Sequence, residues 1–273
     1  MSLRSAEELA ALMPVPNQVQ LHQTRFRREL VSHWGIPSGA RVLEIGCGQG
    51  DTTLVLADAV GPTGHVLAVD LANQNYGAPL TLGESTDHLK RGPLGDRMSF
   101  QFECDALAAT FKQEEFDYVV MAHCTWYFSN LEILQDTLNR IQPWAPRLCL
   151  SEWTLEPETP DQMAHFLAIL IQGQIESFKE ESESNVRSPY AKQTVDLLLT
   201  NAGYEVESEA RIDTSELEDA RWEVTAALAE PTDVLSDRLK SFVSNQIQLL
   251  RDWKGPIRSL SSYSLVAKKK APG

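Results

Sequence analysis

Residues 41–53 read RVLEIGCGQGDTT, an apolar run that leads through three alternating glycines into the segment that follows. The glycines stand at positions 46, 48 and 50, and Glu44 precedes them. This order predicts a buried strand, then a tight bend, then the beginning of a helix. Glycines at such a bend let main-chain N–H groups and a helix N-terminus approach a ligand closely, so the stretch indicates a binding loop.

Strand-like runs alternate with helical runs beyond this loop. The run at 98–106 alternates apolar and polar residues, which is typical of a strand near a sheet edge, whereas the apolar run at 116–124 is typical of a central strand. Strands interleaved with helices predict an α/β fold with a mostly parallel sheet that is covered on both faces. The predicted strands after the first lie at 65–71, 98–106, 116–124, 147–153, 204–213 and 261–269.

The second half of the chain does not show this regular alternation of strands and helices. Residues 160–182 carry an apolar stripe at helical spacing, with His165 off the stripe and predicted to face solvent. About forty further helical residues are predicted at 216–253. These patterns predict three parts: an N-terminal helical lid at 1–34, a core at 35–156, and the last strands at 157–273 with cap insertions at about 157–188 and 214–256.

Composition limits the partners of this protein. The chain has 273 residues and a formal net charge of −14, which disfavours nucleic acid and anionic membrane surfaces. It has neither an apolar run of membrane-spanning length nor the N-terminal pattern of a signal peptide. Its four cysteines show no metal or redox spacing, so we expect buried thiols, no metal and a cytoplasmic protein. The oligomeric state is left open.

The glycine spacing separates two kinds of nucleotide site. Dinucleotide-binding dehydrogenases use G-x-G-x-x-G, whereas here the third glycine falls two residues after the second. The chain also lacks a Tyr-x-x-x-Lys proton relay, which argues further against a nicotinamide-dependent dehydrogenase. An acidic residue, Asp70, ends the next predicted strand, and Asp105 ends the third.

This set of features resembles class I S-adenosylmethionine-dependent methyltransferases. The resemblance covers about residues 35–155 well and the last two strands loosely, with Ala145 and Pro146 where a glycine pair is more usual. It implies a Rossmann-like, mostly parallel seven-stranded sheet with helices on both faces and helical cap insertions. It also implies S-adenosylmethionine as the cofactor.

The resemblance further implies which residues hold that cofactor. The glycine loop would hold its methionine end, Asp70 its ribose hydroxyls and Asp105 its adenine amine. Helix 17–30 would fold over it as a lid. Residues 73–85 are too long and too marked by glycine and proline for a simple strand-to-helix turn, so they are predicted to form a second lid. The expected cofactor-binding residues are Glu44, Gly46, Cys47, Gly48, Gln49, Asp70, Leu71, Asp105, Ala106, Ala122 and Gln23.

Several substrates are disfavoured by absent motifs. Residues 122–128 read AHCTWYF, where enzymes that methylate exocyclic or glutamine amide nitrogens carry N/D-P-P-Y/F. Cys124 lacks the neighbouring proline of cytosine-carbon methylation, and no metal-binding aspartate pair of the catechol type is recognisable. A small organic molecule remains as the substrate. Its pocket is predicted to be walled by the aromatic residues that follow the strands, namely Tyr76, Trp126, Tyr127 and Trp153.

His123 lies at the end of the predicted fourth strand, where methyl group and acceptor would meet. A neutral imidazole there could take a proton from a hydroxyl, so His123 is the candidate catalytic base. The alternative is a histidine that only forms the pocket wall. These observations favour methylation of a small molecule, at oxygen first and at nitrogen second. The competing interpretation is a cofactor-binding protein of the same fold, regulatory or catalysing a rearrangement, that transfers no methyl group.

Overall fold

The computed structural model describes residues 3–182 and 184–270. Seven strands lie in these ranges. They are β1 Arg41–Ile45, β2 His65–Val69, β3 Met98–Gln101, β4 Tyr118–Ala122, β5 Arg147–Trp153, β6 Tyr204–Ile212 and β7 Ser262–Lys269.

The described strands form one sheet in the order β3-β2-β1-β4-β5-β7-β6. Strands β1 to β5 are paired in parallel, and β7 is antiparallel to both of its neighbours. This confirms the predicted α/β fold with a mostly parallel seven-stranded sheet. The strand order reverses between β1 and β4, and their carboxyl ends open a crevice where ligands of such sheets bind.

Helices cover both faces of this sheet. They are α1 Ala6–Ala10, α2 Gln18–Trp34, α3 Asp51–Ala59, α4 Leu82–Arg91, α5 Leu131–Ile141, α6 Met163–Glu176, α7 Lys192–Asn201, α8 Asp219–Ala229 and α9 Asp237–Arg251. Apolar side chains of α1 to α4 pack on one face, and those of α5 and α7 on the other. None of the described helices combines the length and apolar character needed to cross a membrane.

Strand β3 lies at the sheet edge, as the alternating pattern predicted, but it is shorter than predicted. It ends at Gln101, which pairs with Val69, the last residue of β2. Beyond Val69 the chain leaves the sheet, so residues 102–106 have no strand to pair with and form a turn. In that turn the N–H of Cys104 donates to the carbonyl of Asp70.

Helices α6, α8 and α9 pack together into a cap. The predicted helical run at 216–253 is two helices, because Pro231 cannot supply a helical N–H and the chain turns between Glu230 and Ser236. The cap has an apolar core of its own, built from Ala164, Ala168, Ile171, Ile175, Val224, Ala227, Leu235, Val243, Ile247 and Leu250.

The prediction that His165 faces solvent is wrong. Helix α6 is buried on two sides, against the cap core and against Trp153 at the end of β5. The His165 ring lies on the second side, fully buried, and its Nδ1 accepts the N–H of Leu260 at 2.8 Å. A single apolar stripe therefore did not account for a helix that has two buried faces.

Candidate active site

The three glycines of the loop after β1 all adopt positive φ, at 74°, 52° and 90° for Gly46, Gly48 and Gly50. A Cβ at Gly46 would lie 2.6 Å from Cβ of Cys124, and one at Gly50 2.6 Å from Cδ1 of Leu89. A Cβ at Gly48 would meet no protein atom within 4 Å. The outer two glycines thus serve packing, whereas the middle one keeps the main chain accessible from the crevice.

Asp70, directly after β2, holds the glycine loop in place. Its Oδ2 accepts the N–H of Gly48 at 2.9 Å, and its Oδ1 accepts the N–H of Ala72 at 2.9 Å. The next side chain, Leu71, is 70% exposed, which leaves an apolar surface beside the carboxylate. The end of β2 therefore presents a carboxylate and an apolar side chain together.

Glu44 lies beneath the loop and is 1% exposed. The hydroxyl of Thr53 donates to its Oε2 at 2.5 Å, which connects β1 to α3. Burial raises the pKa of Glu44 to about 8. Its carboxyl group supports the loop from behind.

The remaining loop and strand-end residues differ in exposure. Cys47 and Ala106 are buried, and Ala122 is partly buried at the end of β4. Asp105 is exposed, and its Oδ1 accepts the N–H of Leu107 at 2.9 Å. Asp70 follows β2 and Asp105 lies four residues after β3, so the two carboxylates lie beyond the carboxyl ends of adjacent strands. These strands are on the side of the crevice away from β4.

Residues 73–85 are bound to the glycine loop through Gln49. Its side-chain amide donates to the carbonyl of Leu80 at 2.8 Å, and its own carbonyl accepts the hydroxyl of Ser85 at 2.8 Å. The same segment carries Tyr76, which is 36% exposed. The second predicted lid thus lies beside the loop.

Helix α2 lies across the beginning of α3 and reaches the cap. The Gln20 amide donates to Oδ1 of Asp51 at 2.7 Å, next to the last glycine of the loop. The Gln23 amide donates to Oδ2 of Asp219 on α8, also at 2.7 Å. Gln23, expected to contact the cofactor, joins α2 to the cap in this structure.

These observations fit S-adenosylmethionine at the crevice. A side chain at position 48 would fill the approach to the loop, and Gly48 leaves it open. The adjacent Asp70 carboxylate can accept ribose hydroxyls, and the exposed Leu71 offers an apolar contact for a base.

His123 follows β4 with a φ of 52°, in the left-handed region, and its side chain is 11% exposed. Its Nε2 lies 2.9 Å from the hydroxyl oxygen of Ser262 on β7, and its Nδ1 lies 3.5 Å from Oε1 of Glu152. Burial, and then the charge of Arg27, hold the pKa of His123 well below its usual range. The imidazole is therefore neutral at physiological pH.

Glu152, the penultimate residue of β5, is a candidate site residue that the sequence analysis missed. Its Oε2 accepts the N–H of Thr125 at 3.0 Å, the hydroxyl of Thr125 at 2.7 Å and the N–H of Trp126 at 3.2 Å. Burial raises the pKa of Glu152 to about 7. The available signal was a glutamate that interrupts the apolar strand RLCLSEW at 147–153.

The four predicted aromatic wall residues divide into two groups. Trp126 is 2% exposed and packs in the sheet core, so its ring does not face the crevice. The ring of Trp153 lies 4.6 Å from that of His123 and stacks at 6.2 Å on Phe26 of α2. It therefore joins α2 to the strand ends rather than lining an open surface.

Tyr127 and Tyr76 lie where lid, strand end and cap meet. Tyr127 is 46% exposed, in the short turn Thr125–Tyr127 after β4. Crowding of protein around its hydroxyl, then the nearby carboxylates of Glu223 and Glu152 and the phenol of Tyr76, raise the pKa of Tyr127. Of these residues, Glu223 lies on α8, in the cap.

A cavity of about 410 Å³ opens in the cap on this side. Its wall contains one cationic and two acidic side chains, together with an amide and an exposed indole: Lys179, Glu223, Glu230, Gln172 and Trp222. Glu223 in this wall is one of the groups that raise the pKa of Tyr127. The cavity was not predicted, because its lining comes from helices that are separated by some fifty residues.

Comparisons with known proteins agree with this geometry. The sequence model of a family described as a methyltransferase domain matches residues 42–143. A crystal structure of a cyclopropane-fatty-acyl-phospholipid synthase-like protein from Lactobacillus casei is 30% identical, covers 96% of this chain and 98% of that one, and has a TM-score of 0.86.

Two curated relatives match a shorter part. Methyltransferase phomM from Diaporthe leptostromiformis is 30% identical over 48% of this chain and 40% of its own length. Demethylmenaquinone methyltransferase from Staphylococcus aureus is 27% identical over 50% of this chain and 52% of its own length. The chain thus spans about half the length of these curated relatives.

Proposed function

We propose that this chain, which belongs to the class I S-adenosylmethionine-dependent methyltransferases, transfers a methyl group from that cofactor to a small organic molecule. The observation that carries the proposal is the accessible Gly48 main chain, held by the Asp70 carboxylate at the point where the strand order reverses. The bound cofactor would supply an electrophilic methyl group on a sulfonium.

The chain's own residues would bind and orient the cofactor. We assign the methionine end to the loop of Gly46, Cys47, Gly48 and Gln49, which Glu44 supports from beneath. Asp70 would accept the ribose hydroxyls, and Leu71 and Ala106 would contact the adenine. Asp105 would accept the adenine amine. Ala122 and Gln23 would complete the site on the β4 and α2 sides.

Water exclusion is the second task that we assign to the chain. Helix α2 and residues 73–85 are both fastened to the glycine loop, through Gln20 and Gln49. They lie where they could close over a ligand in the crevice. A closed, dry site favours transfer, because a positioned acceptor replaces water around the reacting atoms.

We propose the cap cavity and the adjoining Tyr76 and Tyr127 as the acceptor site. A volume of about 410 Å³ lies within the range of small-molecule pockets. Its charged lining suits a polar substrate. We therefore expect a small molecule with hydrogen-bonding groups rather than a long hydrocarbon chain.

O-methylation is the first candidate reaction, because the His123 imidazole is held neutral and could accept a hydroxyl proton. N-methylation is the second, because the carboxyl group of Glu223 in the cavity wall would favour an amine, whereas that of Glu230 is paired with Lys179. The four cysteines are buried free thiols, and we propose a reducing, cytoplasmic setting for the protein.

Incubation with methyl-labelled S-adenosylmethionine and fractionated metabolites tests the proposal. The expected result is a labelled small molecule together with stoichiometric S-adenosylhomocysteine. Binding of both cofactor forms without transfer from any fraction would favour the alternative, a cofactor-binding protein that moves no methyl group. Absence of cofactor binding would overturn both.

A further inference from the structure

Arg27 on α2 has hydrogen-bonding capacity that the protein itself does not use. Its Nη1 donates to Oε1 of Gln23, and its Nε is buried without a hydrogen-bond partner. Its Nη2 donates to no residue in 3–182 or 184–270, and within those ranges no carboxylate oxygen lies within 4.0 Å of its nitrogens. A buried donor without an acceptor is costly, so it points to a group that the protein binds.

The surroundings of Arg27 locate its guanidinium at the crevice. The preceding residue, Phe26, packs its ring 5.2 Å from that of His123 at the end of β4. Burial lowers the pKa of His123, and the Arg27 charge lowers it further. Arg27 also opposes the rise that burial causes in the pKa of Glu44 beneath the loop and of Asp219 on α8. The geometry agrees: the guanidinium carbon of Arg27 lies 5.6 Å from the centroid of the Phe26 ring, the ring that contacts His123 at the end of β4.

The unused edge of the guanidinium has a definite shape. Nε–H and Nη2–H point the same way from a planar group, and this fork matches the two oxygens of a carboxylate. The neighbouring protein carboxyls do not take this role. Glu44 accepts the Thr53 hydroxyl, and Asp219 accepts the Gln23 amide.

We propose that Arg27 binds the carboxylate at the methionine end of the cofactor, through the Nε and Nη2 edge of its guanidinium. This inference rests on the proposed function. It makes Arg27 the residue of α2 that recognises the amino-acid part of the ligand, with Gln23 as the residue that holds the guanidinium in position. Helix α2 would then be fixed over the crevice by a charge pair that forms only with the ligand.

Two ligands that differ only at this end provide the test. S-adenosylhomocysteine carries the amino-acid end, whereas 5′-methylthioadenosine keeps the adenine, the ribose and a thioether but lacks it. By calorimetry, Arg27→Met should weaken S-adenosylhomocysteine binding by about 10- to 100-fold, the range for hydrogen bonds to charged groups. The affinity for 5′-methylthioadenosine should stay unchanged.

Arg25→Met is the matched control on the same helix. Arg25 is a partly exposed residue in ion pairs with Glu7 and Glu216, at 3.0 Å and 3.6 Å. Its loss should leave the affinity for both ligands unchanged. Two outcomes would overturn the assignment. One is equal weakening of both ligands by Arg27→Met. The other is unchanged binding of S-adenosylhomocysteine, which is also the result expected if Arg27 binds a carboxylate of the acceptor substrate instead.

A further arm needs no variant and so does not depend on how Arg27→Met folds. The unaltered protein is titrated with the carboxamide of S-adenosylhomocysteine, in which a neutral amide replaces the carboxylate. It should bind about 10- to 100-fold more weakly than the parent compound. Equal affinity for S-adenosylhomocysteine and its carboxamide would overturn the inference and leave the proposed function intact. If the protein binds neither S-adenosylhomocysteine nor its carboxamide, the proposed function itself is overturned.

Discussion

Oδ2 of Asp70 accepts the main-chain N–H of Gly48 at 2.9 Å. The carboxylate at the end of β2 thus fixes the shape of the loop that follows β1, across two adjacent parallel strands. Its other oxygen accepts the N–H of Ala72 and so holds the chain after β2. One side chain therefore sets the loop geometry and remains at the crevice edge for a ligand.

Replacement of Asp70 should weaken cofactor binding. Asp70→Ala removes both the acceptor for ribose hydroxyls and the support of Gly48, so we expect S-adenosylhomocysteine to bind about 1–3 kcal/mol more weakly by calorimetry. Asp136→Ala, at an exposed position on α5, is the control and should have no effect. Unaltered affinity of the Asp70 variant would remove the ribose assignment.

Two glycines of the loop should respond differently to alanine. Both substitutions place a Cβ at positive φ, which costs about 1–2 kcal/mol. Gly46→Ala adds the contact with Cys124 and should lose about 1–3 kcal/mol more of the free energy of unfolding in urea. The free energy of unfolding of Gly48→Ala should be closer to that of the unaltered protein, yet this variant should lose S-adenosylhomocysteine binding. Equal stability of the two variants, or binding kept by Gly48→Ala, would contradict this division of roles.

His123→Asn tests the proton acceptor once a substrate is known. If the imidazole is the base, turnover should fall about 10²–10⁴-fold while cofactor affinity stays constant. Because burial holds the pKa of His123 well below its usual range, the acidic limb of the pH–rate profile should lie below pH 6.5 and vanish in the variant. Near-normal turnover would assign His123 to the pocket wall.

Ligand should protect the two lids from proteolysis. We expect S-adenosylhomocysteine to slow cleavage within residues 17–30 and 73–85, because both segments are bonded to the glycine loop. The turn at 231–236 between α8 and α9 serves as an internal control, since within the described residues it makes no hydrogen bond to the glycine loop. If the two lids are cleaved as fast with the ligand as without it, neither lid closes over the crevice.

Glu152 should make the protein less stable as pH rises. Its pKa is about 7 in the folded protein against an ordinary value of 4.5, so the folded state binds more protons between those values. The contribution of Glu152 to the free energy of unfolding should therefore fall from about pH 4.5 to pH 7 and level off above, by about 3 kcal/mol in total. Glu152→Gln should flatten this part of the profile in urea titrations at several pH values. If the substitution leaves the slope of unfolding free energy against pH unchanged, the pH dependence arises from another group.

The sequence alone determined the architecture and the position of the crevice. An apolar strand, alternating glycines and two acidic strand ends are local patterns, and each restricts the backbone over a few residues. Because parallel strands bring their carboxyl ends to one edge, the spacing of Gly48, Asp70 and Asp105 was enough to place them at one edge of the sheet. The alternation of strands and helices predicted a mostly parallel sheet, whereas the strand order is given only by the structure.

Only the tertiary structure decided which polar side chains serve that edge. Arg27 and Glu152 matter because of groups far away in the chain: Asp219 lies on α8, and Thr125 follows β4, the strand adjacent to Glu152 on β5. His165 and Trp126 became core residues for the same reason. Burial and hydrogen-bond pairing depend on what packs against a residue from every side, and a periodic pattern reports only the residue's own element.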